Sequence, residues 1–229
     1  IGSGSFAAKV DFATAVRPRA IAIGDLNGDG KPELAVANNG SSSVSVFPNI
    51  STPGTITSAS FGAKIDYTTG FNSNPSFIAL GDLDGDGKPD LATANSVSGN
   101  VSVLRNSSSG GVLNTASFAA KTDFAAGTTP TSIAIGDLDG DGKPDLVSAN
   151  FSSNNISVFR NTATSGTITA ASFAAAVNFA TASNPYSVAI GDLDGDGKPD
   201  LAVANHSSNS VSFFRNTATS GSISSVSFT

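Results

Sequence analysis

Apolar and polar residues alternate along most of the chain, and the alternation returns with a long period. Between positions 6 and 12, Phe6, Ala8, Val10 and Phe12 share one parity, and Ala7, Lys9 and Asp11 share the other. A period of two predicts a β-strand with one apolar face. The block that opens this strand returns at Phe61, Phe118, Phe173 and Phe228, at spacings of 55, 57, 55 and 55 residues. A variable segment follows each block and ends at Pro18, Pro75, Pro130 or Pro185, a residue suited to the first position of a strand. Next come AIAIGDL, FIALGDL, SIAIGDL and SVAIGDL, which alternate large and very small side chains. Two more short β-prone runs complete the repeat, LAVAN and its variants, then SVSVF, NVSVL, NISVF and SVSFF, separated by Ser/Asn/Gly turns. No stretch carries helical periodicity.

The pattern predicts four strands per repeat, with units at 5–59, 60–116, 117–171 and 172–226, and 227–229 starting a further one. Residues 1–229 then form a single repeat domain. One four-stranded sheet with two apolar faces cannot hide both. Sheets stacked radially can, and the small residues of the AIAIGDL-type strand suit crowding near a propeller axis. The expected fold is all-β: a β-propeller of four blades, each of four antiparallel strands. The segment 5–12 precedes the first inner strand. It could complete the last blade and close the ring, or complete a neighbouring molecule's blade and build a filament.

Each inner strand runs into an acidic loop: GDLNGDGKPEL at 24–34, then GDLDGDGKPDL at 81–91, 136–146 and 191–201. Oxygen-bearing side chains occupy loop positions one, three, five and nine. They are Asp25, Asn27, Asp29 and Glu33; Asp82, Asp84, Asp86 and Asp90; Asp137, Asp139, Asp141 and Asp145; and Asp192, Asp194, Asp196 and Asp200. Gly30, Gly87, Gly142 and Gly197 at position six permit a sharp turn, and Lys31, Lys88, Lys143 and Lys198 at position seven each offer a backbone carbonyl. Carboxylates converging this way form a hard oxygen cage suited to Ca²⁺, and without a cation they repel one another. An EF-hand is excluded. That motif needs Glu at loop position twelve and a following helix, whereas Val36, Thr93, Ser148 and Val203 stand there and the next residues are β-prone.

The string IAIGDLDGDGKPDL followed two residues later by AN, at 133–150, resembles the FG-GAP/VCBS repeat, the blade unit of integrin-α-type β-propellers. The resemblance recurs four times and covers essentially the whole chain. It implies an extracellular propeller with Ca²⁺ in its hairpin loops, engaged in binding or adhesion more often than catalysis. Propellers of this family commonly have seven blades, and this chain has four repeats.

Composition narrows the function further. Fifteen of the 18 acids lie in the four loops, so the net charge of −6 belongs to the sites and not to a general acidic surface. Four bound Ca²⁺ would turn it into about +2. There is no basic stripe for nucleic acid and no apolar run long enough to span a membrane. With no Cys, the redox compartment is unmarked, but modest-affinity Ca²⁺ loops fill outside cells and not in the cytosol. The absence of Met predicts a processed product or an excerpt.

Catalytic chemistry is hard to assemble from these residues. The one histidine, His206, lies in a turn whose repeat column holds Asn39, Ser96 and Phe151 elsewhere, so it reads as an exposed turn residue. A Ser-His-Asp or Cys-His site is therefore not expected, and neither is a freely titrating glycosidase pair. The most variable segments are 13–20, 68–76, 125–132 and 180–187, where Arg17, Arg19, Phe71 and Tyr186 stand apart. An aromatic beside Asn and Ser could stack on a sugar, and the arginines could hold an anionic one. N-x-S/T triplets at Asn39, Asn49, Asn100, Asn106, Asn150, Asn155 and Asn205 are candidate glycan acceptors. The sequence thus leads to a non-enzymatic, extracellular, Ca²⁺-binding propeller that binds a protein or glycan at a cell surface. A self-assembling fibre formed by strand exchange and a lectin are the alternatives.

Overall fold

The computed structural model describes residues 7–229. Four antiparallel sheets follow one another along the chain. The first holds β1 (Pro18–Gly24), β2 (Glu33–Asn38), β3 (Ser43–Phe47) and β4 (Ile65–Thr68). The second holds β5 (Pro75–Gly81), β6 (Asp90–Asn95), β7 (Asn100–Leu104) and β8 (Thr122–Ala125). The third holds β9 (Pro130–Gly136), β10 (Asp145–Asn150), β11 (Asn155–Phe159) and β12 (Val177–Ala180). The fourth has three strands, β13 (Pro185–Gly191), β14 (Asp200–Asn205) and β15 (Ser210–Phe214). In every sheet the spatial order is the chain order, an up-and-down meander. No helix occurs among the described residues, and so none is long and apolar enough to cross a membrane.

Each proline expected at a strand start is the first residue of β1, β5, β9 or β13. It sits at an edge, where a missing N–H costs no ladder bond. These four first strands lie side by side, β1 against β5, β5 against β9 and β9 against β13. Their terminal glycines are what let them approach. A Cβ on Gly24 would lie 2.8 Å from Leu80 Cδ1, and one on Gly81 would lie 3.0 Å from Ile135 Cγ2.

The core lies between sheets. The face of β2 and β3 on one blade offers Ala35, Ala37, Val44 and Val46, and the next blade covers them with Ile78, Leu91, Leu104 and Phe118. Two further cores repeat this composition between the second and third blades and between the third and fourth. Aromatic pairs close the outer rim edge to face: Tyr67 with Phe118, Phe124 with Phe173, and Phe179 with Phe228. The central strands are buried on both faces. Most of their internal polar groups are satisfied within the sheet, as where Asn95 Nδ2 donates to Ser102 Oγ at 2.7 Å and Ser102 Oγ donates to Asp123 Oδ1 at 2.6 Å.

Three expectations are corrected. The strand foreseen over 5–12 begins partly outside the described residues, and residues 7–12 form no strand and pair with none. Its counterparts start later than the phenylalanine block. Phe61, Phe118, Phe173 and Phe228 make isolated bridges to Asn49, Asn106, Asn161 and Asn216, and the outer strands begin at Ile65, Thr122 and Val177. The physical reason is that an outer strand pairs with the third strand of the blade before it, as β4 does with β3 and β8 with β7, and the described residues hold no such third strand for 7–12. The last blade correspondingly has three strands in place of four, and residues 7–12 do not close it. The sheets form an open row, not a ring.

Candidate metal centres

Each acidic loop joins the first and second strands of a blade, so the antiparallel register of that hairpin sets its geometry. Gly24 pairs with Glu33, and Gly81, Gly136 and Gly191 pair with Asp90, Asp145 and Asp200. Backbone N–H groups then hold the carboxylates in place. In the second loop, Gly87 N donates to Asp82 Oδ2 at 2.8 Å, Asp86 N to Asp84 Oδ1 at 3.2 Å and Lys88 N to Asp86 Oδ1 at 3.1 Å. The pattern recurs in the third and fourth loops.

Three loops gather carboxylate oxygens within 4.8 Å of one another: Asp82, Asp84 and Asp86; Asp137, Asp139 and Asp145; and Asp192, Asp194 and Asp200. Each is a set of hard oxygen donors that fits a metal ion. The first loop does not form such a triad among the described residues. There Asn27 replaces the third-position Asp and turns its amide towards Glu33 Oε1, at 3.4 Å. Asp25 is held by Gly28 N at 2.7 Å and Gly30 N at 2.8 Å, and Asp29 by Lys31 N at 2.8 Å.

The ninth-position carboxylate closes each loop, with both oxygens bound to backbone. Asp90 accepts from Leu83 N at 3.0 Å and Asn106 N at 2.7 Å, tying the loop to the strand that leaves the blade. Glu33, Asp145 and Asp200 make the same two bonds. Burial raises the pKa of Asp90 and of Asp145 to about 7, and it raises that of Glu33. In the fourth loop the hydrogen bond from Asn216 N lowers the pKa of Asp200.

Two sets of residues not foreseen from the sequence complete the centres. Arg105 donates to Asp84 from Nε at 2.5 Å and to Asp86 from Nη2 at 2.8 Å. Arg160 and Arg215 clamp Asp139 and Asp194 in the same way. Pro48 occupies this column in the first blade. Leaving aside the lysine common to all loops, the first loop has three carboxylates and no arginine, and the others have four carboxylates and one arginine. All four sites therefore carry the same formal charge, −3. The asparagine after each arginine links blades. Asn106 Nδ2 donates to Leu26 O of the preceding blade at 2.8 Å, Asn161 Nδ2 to Leu83 O at 2.8 Å and Asn216 Nδ2 to Leu138 O at 2.7 Å. The legible signal was the Arg-Asn dipeptide at 105, 160 and 215, always after the third strand. The loop lysines point elsewhere: Lys143 Nζ and Lys198 Nζ donate to Ala163 O and Ala218 O, both at 2.9 Å.

The variable segments lie apart from these centres. Phe71 is wholly exposed at the mouth of a cleft of about 530 Å³, lined by Ser41, Ser42, Thr68, Asn72 and Asn74. Tyr186 packs beside Phe151 and His206, and His206 is exposed, as the sequence suggested. Arg17 takes a left-handed backbone conformation (φ 55°) that Asn74, Thr129 and Asn184 repeat at the same turn. Arg17 and Arg19 are exposed. The glycan-acceptor reading fails at Asn39, Asn49, Asn106, Asn150 and Asn205. These side chains are buried, and their amide nitrogens donate hydrogen bonds.

A row of antiparallel meanders, three of four strands and one of three, stacked face to face with an acidic loop at the same hairpin of each, defines a β-propeller-type repeat protein. An FG-GAP-like repeat profile matches residues 25–93, 82–148 and 137–203, and an FG-GAP repeat profile matches 184–225. The chain belongs to the FG-GAP-like repeat family. No curated protein sequence matches it. Among solved structures it is similar to virginiamycin B lyase from Staphylococcus aureus, with TM-score 0.50 and 10% identity over 88% of this chain and 56% of that one. It is also similar to BBS1N in complex with ARL6DN, with TM-score 0.54 and 14% identity over 86% and 56%. At these identities the likeness is one of fold, and the chain spans about half the length of either protein.

Proposed function

We propose that the chain is a non-enzymatic recognition module whose blades are locked by Ca²⁺. The observation that carries this reading is a carboxylate triad at the same hairpin in three successive blades, drawn from loop positions one, three and five in the second and from one, three and nine in the third and fourth. A cation there would be held by Asp82, Asp84 and Asp86, by Asp137, Asp139 and Asp145, and by Asp192, Asp194 and Asp200, with the first loop offering Asp25, Asn27, Asp29 and Glu33. All-oxygen donors on a flexible loop favour Ca²⁺ over Mg²⁺, which demands a tighter octahedron. The ion's contribution would be charge neutralisation and rigidity. The chain's own residues do the remainder: backbone N–H groups orient the carboxylates, and the ninth-position acid couples the loop to the outgoing strand.

Catalysis has little to build on. The single histidine is exposed, and its ring hydrogen-bonds only Ser207, at 3.4 Å. The clustered carboxylates are engaged by backbone and arginine. Extracellular residence is supported by the need for millimolar Ca²⁺ to fill such loops. Adhesion or recognition is supported by family membership. BBS1N, one of the structural neighbours, was solved in a complex with ARL6DN. Calorimetric titration tests the ion. Ca²⁺ should bind and raise the melting temperature where equimolar Mg²⁺ does not, and absence of any Ca²⁺ heat would remove the reading.

A glycan ligand is the second reading. It is favoured by the wholly exposed Phe71 above a cleft of hydroxyl and amide groups, since an aromatic face with adaptable polar neighbours suits a sugar ring. On a glycan array, Phe71→Ala should abolish whatever signal the wild-type chain gives. An array without hits would leave protein ligands as the class to pursue.

A further inference from the structure

The four acidic loops are nearly one sequence, yet their charge is balanced in two different ways. The second, third and fourth loops each bring four carboxylates and receive one arginine from beyond the third strand. The first brings three carboxylates and receives none. The two changes come together: Asn27 stands in place of an aspartate in the one blade where Pro48 stands in place of the arginine. Among the described residues no lysine or arginine pairs with Asp25, Asp29 or Glu33. A missing negative charge is thus matched by a missing positive one. With the loop lysine left aside, the formal charge stays at −3 in all four blades.

The geometry shows what the arginine neutralises. The side chains of Asp84 and Asp86 are 0% and 13% exposed. Backbone takes their Oδ1 atoms, from Asp86 N at 3.2 Å and Lys88 N at 3.1 Å. One guanidinium takes both Oδ2 atoms, Arg105 Nε on Asp84 and Nη2 on Asp86. Arg160 spans Asp139 and Asp141 at 2.9 and 3.5 Å, and Arg215 spans Asp194 and Asp196 at 2.6 and 3.0 Å. The planar fork does not scatter the donors. With Arg105 in place, oxygens of Asp82, Asp84 and Asp86 still lie within 4.8 Å of one another, and with Arg160 in place so do those of Asp137, Asp139 and Asp145. Like charges at that spacing and partly out of water repel, and a cation fixed against two of them offsets the repulsion. In the first loop the third-position side chain is neutral, and Asn27 Nδ2 itself donates to Glu33 Oε1.

We infer that Arg105, Arg160 and Arg215 set the cation affinity of their loops. Each is a fixed internal counter-ion. It holds the carboxylates together when no metal is bound, and its charge weakens their attraction for a metal that arrives. The inference rests on the Ca²⁺ reading of the loops proposed above and adds to it a residue from outside each loop. A bridge with a purely structural role, tying the end of the third strand to the loop, would stabilise the loaded and the empty chain alike. A counter-ion matters most to the empty chain, because metal and guanidinium neutralise the same acids. Removing it should therefore weaken the empty chain and tighten the metal, two effects of opposite sign from one substitution.

Calorimetric titration of Ca²⁺ on the intact chain, paired with melts in Ca²⁺ and in chelator, tests the proposal. Arg105→Gln removes the charge and keeps a polar side chain. One equivalent of Ca²⁺ should then bind about tenfold more tightly, the chelated chain should melt lower, and the gap between the two melts should widen. Arg105→Lys keeps the charge and should restore most of the wild-type isotherm. Asn27→Asp gives the first loop four carboxylates and no arginine, so it should also tighten one equivalent and lower the chelated melt. It changes one half-buried loop side chain and no core residue, and it carries the test if Arg105→Gln fails to fold. Equal falls in both melts with an unshifted isotherm would mark a structural bridge and overturn the proposal. Tightening in Arg105→Lys as large as in Arg105→Gln would trace the effect to shape, not charge, and would overturn it too. Absence of Ca²⁺ heat in the wild-type chain removes the Ca²⁺ reading and this inference with it. Heat in the wild type with unshifted isotherms in Arg105→Gln and Asn27→Asp overturns the arginine role alone.

Discussion

The second, third and fourth acidic loops have the same eleven residues, GDLDGDGKPDL, yet two of them sit in one electrostatic environment and the last in another. In the second and third blades the third-position acids Asp84 and Asp139 are buried. The ninth-position acids Asp90 and Asp145 are pushed up to about 7 by burial. In the fourth blade Asp194 is exposed and Asp200 is shifted down by the backbone N–H of Asn216. The local hydrogen bonds are the same in all three. The difference is the next blade: its outer connection covers the loop before it, as where Ser165 Oγ reaches Gly85 O at 3.0 Å and Ser220 Oγ reaches Gly140 O at 3.1 Å. The fourth loop has no such cover. The cover over a loop here comes from a segment some 80 positions away along the chain.

The largest effect that would test this contrast is metal removal. At a hundredfold excess over its dissociation constant, each bound Ca²⁺ adds about 2.7 kcal/mol. A chelator should therefore lower the melting temperature steeply, and hydrogen exchange should show the fourth blade opening first. A chelator-insensitive melt would break the assignment.

Next in size is the pH dependence of the chelated chain. Asp90 and Asp145 hold their protons to about pH 7 in the folded state, and an unfolded Asp releases its proton near 4. Between those values the unfolded chain binds fewer protons, so stability falls as pH rises from about 4 to about 7. Asp200 has the opposite sign, its contribution being present at neutral pH and lost as pH falls through the acid range. In denaturant melts, Asp90→Asn should flatten the decline between pH 4 and 7, and Asp200→Asn should leave it in place.

The asparagine links give a smaller contrast between interior and end. The side chain of Asn161 makes three hydrogen bonds, two of them buried, to Leu83 O, Pro144 O and from Ala163 N, and Asn161→Ala should cost about 3 kcal/mol in urea unfolding. Asn49 lacks the bond between blades, and Asn49→Ala should cost nearer 1 kcal/mol. Equal costs would mean that the cross-blade bond contributes nothing.

The smallest effect concerns a buried oxygen. Asn95 Oδ1 and Asn150 Oδ1 accept from Thr93 and Ser148, but Asn38 Oδ1 has no partner, because Val36 stands in that column. Val36→Thr should supply the hydroxyl and stabilise the chain by about 1 kcal/mol, readable as a rise in melting temperature.

Much of this was legible before any coordinates. The Pro-led inner strands, the three-strand meander around each loop and the two-residue alternation follow from local rules. The outer strand was placed too early because Phe61 and its equivalents share the parity of the strand but make only a single bridge, their role being to pack against the aromatic of the preceding blade. The arginine clamps were missed because Arg105 and Asp84 are 21 residues apart and meet only when β7 lies beside β6.

What the sequence determined by itself is the chemistry of each repeat: which residues alternate, where the turn is tight and which side chains bring oxygen to it. Those properties depend on neighbours within a few positions, and they are the same in every copy. Which copies are buried, which acids hold their protons and which apolar faces stay bare were decided only when the sheets stacked. Burial is a property of the blade on the far side, and identical segments fare differently according to whether that blade is there.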